Sequence, residues 1–110
     1  DDFDQARFYF SQALELDWED EEILRDYIFF LLGQHPIEAL ELLEDFQMEL
    51  EHNPEYLLLF THTLIHLNRM PEALMLFSSL VAVDKTQASL ILEWNPALQY
   101  HKDFVTLLHE

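Results

Sequence analysis

His62 and His66 stand four residues apart, and on a helix that spacing puts two imidazoles on one face, as for two ligands of a divalent metal. A metalloprotease helix needs Glu directly after the first histidine. Thr63 occupies that position, and no third ligand follows from the spacing, so the pair reads first as surface residues and only secondarily as a metal site. Carboxylates are abundant, as in Glu41, Glu44 and Asp45 or the run Glu19 to Glu22. Two of them could share acid and base roles only inside an apolar enclosure that splits their pKa values. Here they fall on the polar stripe of amphipathic segments, where ionised carboxylates solvate a surface. Asp17 to Glu22 lacks the alternating oxygen ligands and central Gly of a calcium loop. The chain has no Cys, which removes thiolate ligands, disulfides and a thiol nucleophile. A single Gly leaves no phosphate-cradling loop, and no Ser sits in a Gly-flanked elbow. No catalytic residue, resident metal or cofactor is expected.

The elements that would hold these residues are helices. Half of the 110 residues are hydrophobic and 14% are aromatic, against one Gly and four Pro. Such a composition packs into one domain and suits neither a disordered tail nor a turn-rich β-protein. Prolines at 36, 54, 71 and 96 punctuate the chain at plausible first helical positions. Asn53-Pro54 and Asn95-Pro96 pair a capping amide with a proline at that position. Asp17 to Glu22 supplies a capping carboxylate and an acidic first turn ahead of the apolar run from Ile23. The spacing predicts helices over 3–16, 20–33, 36–52, 54–67, 71–83, 86–94 and 96–109.

Charge narrows the partners. The 22 acidic and 5 basic residues give a formal charge of −17, a field that repels nucleic acid and anionic lipid. Residues 1–55 carry a net charge of −15 and residues 56–110 only −2. The acidic half is suited to steer a basic partner, and equally to keep an apolar surface in solution. No apolar run reaches the roughly 18–20 residues of a membrane span. The chain opens Asp1-Asp2 without a basic n-region, so no signal peptide is read in these residues, and a cytoplasmic location is expected.

An internal repeat organises the chain. Glu38, Ala39, Leu40 and Leu42 recur as Glu72, Ala73, Leu74 and Leu76, with Leu43 and Phe46 matched in kind by Phe77 and Leu80, at an offset of 34 residues. Ile23, Phe30 and Leu31 fall on Leu57, Leu64 and Ile65 at the same offset, and the turns Gly33-Gln34 and Leu67-Asn68 coincide. Ala6, Phe10 and Ala13 make a third copy at an offset of 33. A helix pair of this period, with a small residue followed four positions later by a large apolar one, resembles the tetratricopeptide repeat (TPR) family. The resemblance implies an all-α fold in which antiparallel helix pairs stack as a short right-handed solenoid. Its spans would be a single domain over 1–110: the second helix of a partial repeat at 3–18, repeats at 20–52 and 54–85, and C-terminal capping helices over 86–110. The first copy lacks its leading helix, so the chain is either a piece of a longer array or ends on a lone helix. Ala6, Phe10, Ala39, Leu43, Ala73 and Phe77 are the expected repeat-packing residues, the alanines where paired helices cross most closely. Asp26, Trp18, Pro36 and Met70 depart from the family pattern, so no subfamily is named.

The resemblance implies protein binding in a concave groove lined by the first helix of each pair. Residues 23–32 are apolar nearly all round. With Ile23, Tyr27, Phe30 and Leu31 assigned to the core, Leu24, Ile28 and Leu32 project elsewhere, and Leu58, His62 and His66 are their equivalents one repeat on. Leu24, Ile28, Leu58, His62 and His66 are therefore the candidate groove, its expected ligand an apolar, helical segment flanked by basic residues. Some family members grip a carboxylate with Lys, Asn and Arg on these helices. Of Arg7, Arg25, Arg69, Lys85 and Lys102, only Arg25 lies on a first helix, so that mode is not expected. Three other covers for the stripe compete: repeats beyond this chain, the C-terminal helix with Phe104 and Leu108 folding back, or a second copy in a homodimer.

Overall fold

Local chemistry sets most helix starts. The computed structural model describes residues 2–17 and 19–109; Asp1, Trp18 and Glu110, which the expected spans include, lie outside the described residues. Helix α1 runs Asp2–Leu16 and α2 runs Glu21–Leu32. Asp20 caps α2, its Oδ1 accepting the amides of Glu22 at 2.9 Å and Ile23 at 3.3 Å. Helices α3 (Pro36–Asp45) and α4 (Gln47–Leu50) replace the single helix expected over 36–52. The break falls where the buried Tyr56 hydroxyl donates to the Leu43 carbonyl, which also accepts the Phe46 amide at 3.1 Å. A side chain inserted at a helical carbonyl is a known cause of a helix break.

Helix α5 (Pro54–His66) begins as the sequence predicts, with Asn53 Oδ1 accepting the Tyr56 amide at 3.0 Å. It ends at a turn in which Asn68 adopts a left-handed φ of 64° and the Arg69 amide reaches back to Leu64 O at 2.8 Å. The matching turn after α2 differs at Gln34, the counterpart of Asn68, which is not left-handed, while Gly33 and its counterpart Leu67 both keep a negative φ, −71° and −85°. Helix α6 covers Met70–Val83. Asp84 then caps the short α7 (Lys85–Ala88), followed by α8 (Leu90–Trp94), a 3-10 turn (Pro96–Tyr100) and α9 (Lys102–His109). The helices expected over 86–94 and 96–109 are thus each interrupted. Asn95 does not cap the second of them; its side chain turns back to Ile91 O and toward His62. Among the described residues every regular element is helical, and no helix is long and apolar enough to cross a membrane.

Helices adjacent in sequence pack on one another: α1 on α2, α2 on α3, α3 on α5, α5 on α6, and α6 on α7. First helices also touch across pairs, α2 on α5 and α5 on α7 and α8, and α9 closes on α6. The product is elongated, 44 × 25 × 20 Å. Helix α5 is its centre, with Leu57, Leu58, Leu59, Phe60 and Leu64 all buried. Two threonines there, Thr61 and Thr63, satisfy their hydroxyls on the carbonyls of Leu57 and Leu59. Each buried leucine or phenylalanine contributes about 1.5–3 kcal/mol relative to exposure.

Of the repeat-packing residues, Ala39, Leu43, Ala73 and Phe77 are fully buried. Ala6 and Phe10 are only half-buried, because α1 has neighbours on one flank alone. Its attachment is mainly aromatic and polar: Phe10 stacks on Tyr27 at 5.3 Å, Phe3 on Phe30 at 4.9 Å, and Arg7 Nη2 meets Glu38 Oε1 at 2.7 Å. At the far end Phe104 is fully buried against Phe77, ring centroids 4.9 Å apart. The C-terminal helix therefore covers α6 and not the apolar stripe of α2.

Candidate functional site

The helices α2 and α5 do not expose the apolar residues that the sequence assigns to a groove. Leu24 is 3% exposed, and Ile28 and Leu58 are fully enclosed, so these three line no open groove. Leu32 is buried as well. The cause is neighbour number: α2 lies against α1, α3 and α5, and α5 against α2, α3, α6, α7 and α8. One apolar stripe per helix cannot serve so many contacts, so the surplus apolar residues are absorbed by the core. Leu24, with Leu50, Tyr56 and Leu59, lines a gap of about 10 Å³ that Glu19, Glu21, Asn53 and Glu55 also border.

What α2 leaves in solvent is the stripe Glu22, Asp26 and Phe29, at the i, i+4, i+7 spacing of one helix face. Phe29, 39% exposed, stands against two rings from successive helices. Its centroid is 5.4 Å from His62 of α5 and 5.2 Å from Trp94 of α8, and His62 and Trp94 are 5.3 Å apart. The contact with Trp94 is edge-to-face in both cases, a favoured geometry for aromatic pairs. His66 lies one turn further along α5 and is exposed, while His62 and Trp94 are half-buried. The structure thus brings together His62 and His66 of the expected groove and adds Phe29, Trp94 and Asn95. Trp94 carried no signal in the repeat alignment, and Phe29 is displaced by one residue from Ile28, which the alignment had matched to His62.

Electrostatics makes this patch a neutral one. Asn95 Nδ2 lies 2.9 Å from His62 Nδ1 and 3.3 Å from Ile91 O, so the amide donates to both. The neutral ring then carries its proton on Nε2. Burial first, and then the neighbouring His66, hold the His62 imidazole below its ordinary value of 6.5. The Asn95 amide works the other way, since turned over it would offer its oxygen to a protonated Nδ1. The hydrogen-bond partner of His62 is therefore an amide, and its ring neighbours are aromatic; the arrangement offers recognition by apolar contact and one N–H donor. Among the described residues no group of three or more His, Asp or Glu converges to hold a metal ion. His101 is half-buried, 5.1 Å from the Phe104 ring.

Tyr56, the hydroxyl at the α3 break, is pushed well above the ordinary tyrosine value by burial and then by Glu44 and Glu49. It is a structural donor. Two further clefts lie between helices, one among α1, α2 and α3 and one among α4, α5 and α6. One of 370 Å³ is lined by Ser11, Leu14, Tyr27, Leu42 and Phe46, and one of 270 Å³ by residues including His52, Tyr56, Phe60, Leu76 and Val83. Compared with known proteins, the chain matches no family model, no curated protein and no solved structure.

Proposed function

We propose that the chain is a non-catalytic protein-binding module of TPR-like build, docking an apolar, helical and basic-flanked segment on the face made by α2, α5 and α8. The observation that carries this reading is the half-exposed cluster of Phe29, His62 and Trp94, one ring from each of three successive first helices. Aromatic residues presented on rigid elements are the usual anchors of protein interfaces. The 34-residue repeat and the contacts of α2 with α5, and of α5 with α8, support a stack of helix pairs with this face to one side. Acidic Glu22 and Asp26 continue the stripe beyond Phe29, which fits basic flanks on the ligand.

The test is quantitative affinity capture with the wild type and with Phe29→Glu and Trp94→Ala, followed by binding measurements on the isolated partner. Both variants should retain helicity and lose the partner by at least about ten-fold. A partner held equally by all three proteins would rule this face out.

A second reading, self-association, is favoured by α6. Its 14 residues carry a single charged side chain, Glu72, while Met75 and Val83 stand exposed. Light scattering over a concentration range, against 13.2 kDa for one chain, decides it. A dimer abolished by Met75→Glu would favour assembly through α6, and a monomer throughout would remove that reading.

A further inference from the structure

We propose that the cleft between α1 and α2 is a docking site for a basic segment of a partner protein, with one of its Lys or Arg side chains entering the cleft. The site shares Glu22 and Asp26 with the stripe that runs up to Phe29 but not its rings, and it does not depend on Phe29, His62 or Trp94 binding anything. The cleft measures 270 Å³. Phe10 and Ile23 form its apolar part, Tyr9 stands beside it, and Asp20, Glu22 and Asp26 supply carboxylates. Tyr9 is 71% exposed and its neighbour Phe8 63%, so α1 presents two rings to solvent beside the cleft.

Its chemistry matches a long cationic side chain. The aliphatic stem of Lys or Arg lies on apolar rings while the charged head reaches polar partners. Here the head would meet the Tyr9 face, a cation-π acceptor, and the carboxylates of Glu22 and Asp26. Asp20 already uses Oδ1 to cap α2. The chain has little cation of its own to offer: residues 1–55 contain 17 acidic residues and two basic ones. Arg7 is engaged by Glu38, and Arg25 is shared between Asp26 and Glu55. A second copy is a poor occupant, because it would bring another −17 against this field. A basic polypeptide is drawn to it.

The probe is a fluorescein-labelled amphipathic peptide of Leu and Lys, compared with the same peptide carrying Gln for Lys, titrated against the full chain by anisotropy at about 0.15 M salt. The Lys peptide should bind more tightly than the Gln peptide. The pair Glu22→Gln with Asp26→Asn should weaken it by about ten-fold or more, and Tyr9→Ser by about three-fold. The charge-matched pair Glu41→Gln with Asp45→Asn on α3 should change it by less than about two-fold. All these positions are exposed, so the variants should keep the wild-type circular dichroism. Equal loss in the two charge-matched pairs would reduce the effect to bulk charge and overturn the proposal. So would a wild type that cannot tell the two peptides apart. Loss on Trp94→Ala as large as on the cleft pair would put the probe on the first-helix face instead, whereas full binding by that variant keeps the cleft even if the other face has no ligand.

Discussion

Helices α1 and α5 are close in length, 15 and 13 residues, and opposite in setting. Eight residues of α5 are buried, on every side of the helix, whereas α1 buries Leu14 alone. The difference is one of composition and of neighbours: α1 carries four charged side chains (Asp, Glu, Lys or Arg) to one in α5, and its Phe8 and Tyr9 face water because α2 is the helix it mainly packs on. A helix in the middle of a stack is held by burial from all directions. One at the end is held by a few ring contacts and an ion pair, and what it does not bury stays in solvent. The surface is uneven in the same way, strongly acidic in the N-terminal half and nearly uncharged along α6, where Glu72 is the single charged side chain.

The sharpest contrast should appear in core truncations. Leu58→Ala at the centre of α5 should cost about 3–5 kcal/mol and lower the urea midpoint of the whole chain, whereas Leu14→Ala, at an edge that can partly collapse, should cost about 2 kcal/mol. Equal global losses from the two would mean α1 is as integral as α5. The second test adds volume. Ala73→Leu, at a fully enclosed position, should destabilise by about 1–3 kcal/mol, while Ala6→Leu on half-buried α1 should be nearly neutral in the same unfolding experiment. Third, hydrogen exchange should rank the helices: α5 amides should exchange near the rate of global opening and α1 amides well before it. Uniform protection across both would count against the edge status of α1. Removing the Arg7 clamp is a smaller change. Arg7→Ala should cost less than about 1 kcal/mol, since both partners of the 2.7 Å pair are more than a third exposed, and its effect should show in α1 exchange before it shows in the midpoint.

The pH response of His62 is the finest test. Its folded-state value is held below the ordinary 6.5, so the unfolded chain binds the proton more readily, and stability rises with pH across that interval. As pH falls below about 6.5, wild type should therefore lose stability relative to its own difference from His62→Gln at neutral pH, while above it the two differ by a constant offset from the ring contacts that the substitution removes. The comparison between variants matters because protonating the many carboxylates at lower pH relieves repulsion and acts in the opposite direction. Parallel pH profiles for the two proteins would show that the imidazole is not held down.

Much of the architecture is legible in local chemistry. Asp20 and Asn53 cap α2 and α5 as their positions predict, and Pro36, Pro54 and Pro71 lie in the first turns of their helices. Ala39 and Ala73, small residues at matching repeat positions, are both fully buried. The candidate site was half legible. His62 and His66 lie on the open face, but Leu24, Ile28 and Leu58 went inside, since hydrophobic periodicity tells how much apolar surface a helix has and not how many neighbours will cover it.

By itself, then, the sequence determined the helical class, the main helix starts, the 34-residue repeat and the uneven charge, because capping, proline geometry, small-residue spacing and net charge are properties of residues close in the chain or summed over it. Only the tertiary structure decided that Tyr56 takes the Leu43 carbonyl and ends α3, that Asn95 turns from its expected cap toward His62, and that Trp94 reaches Phe29 across 65 residues of chain. Each of those contacts joins residues whose separation in sequence carries no information about their distance in space, so it arises only once the helices have packed.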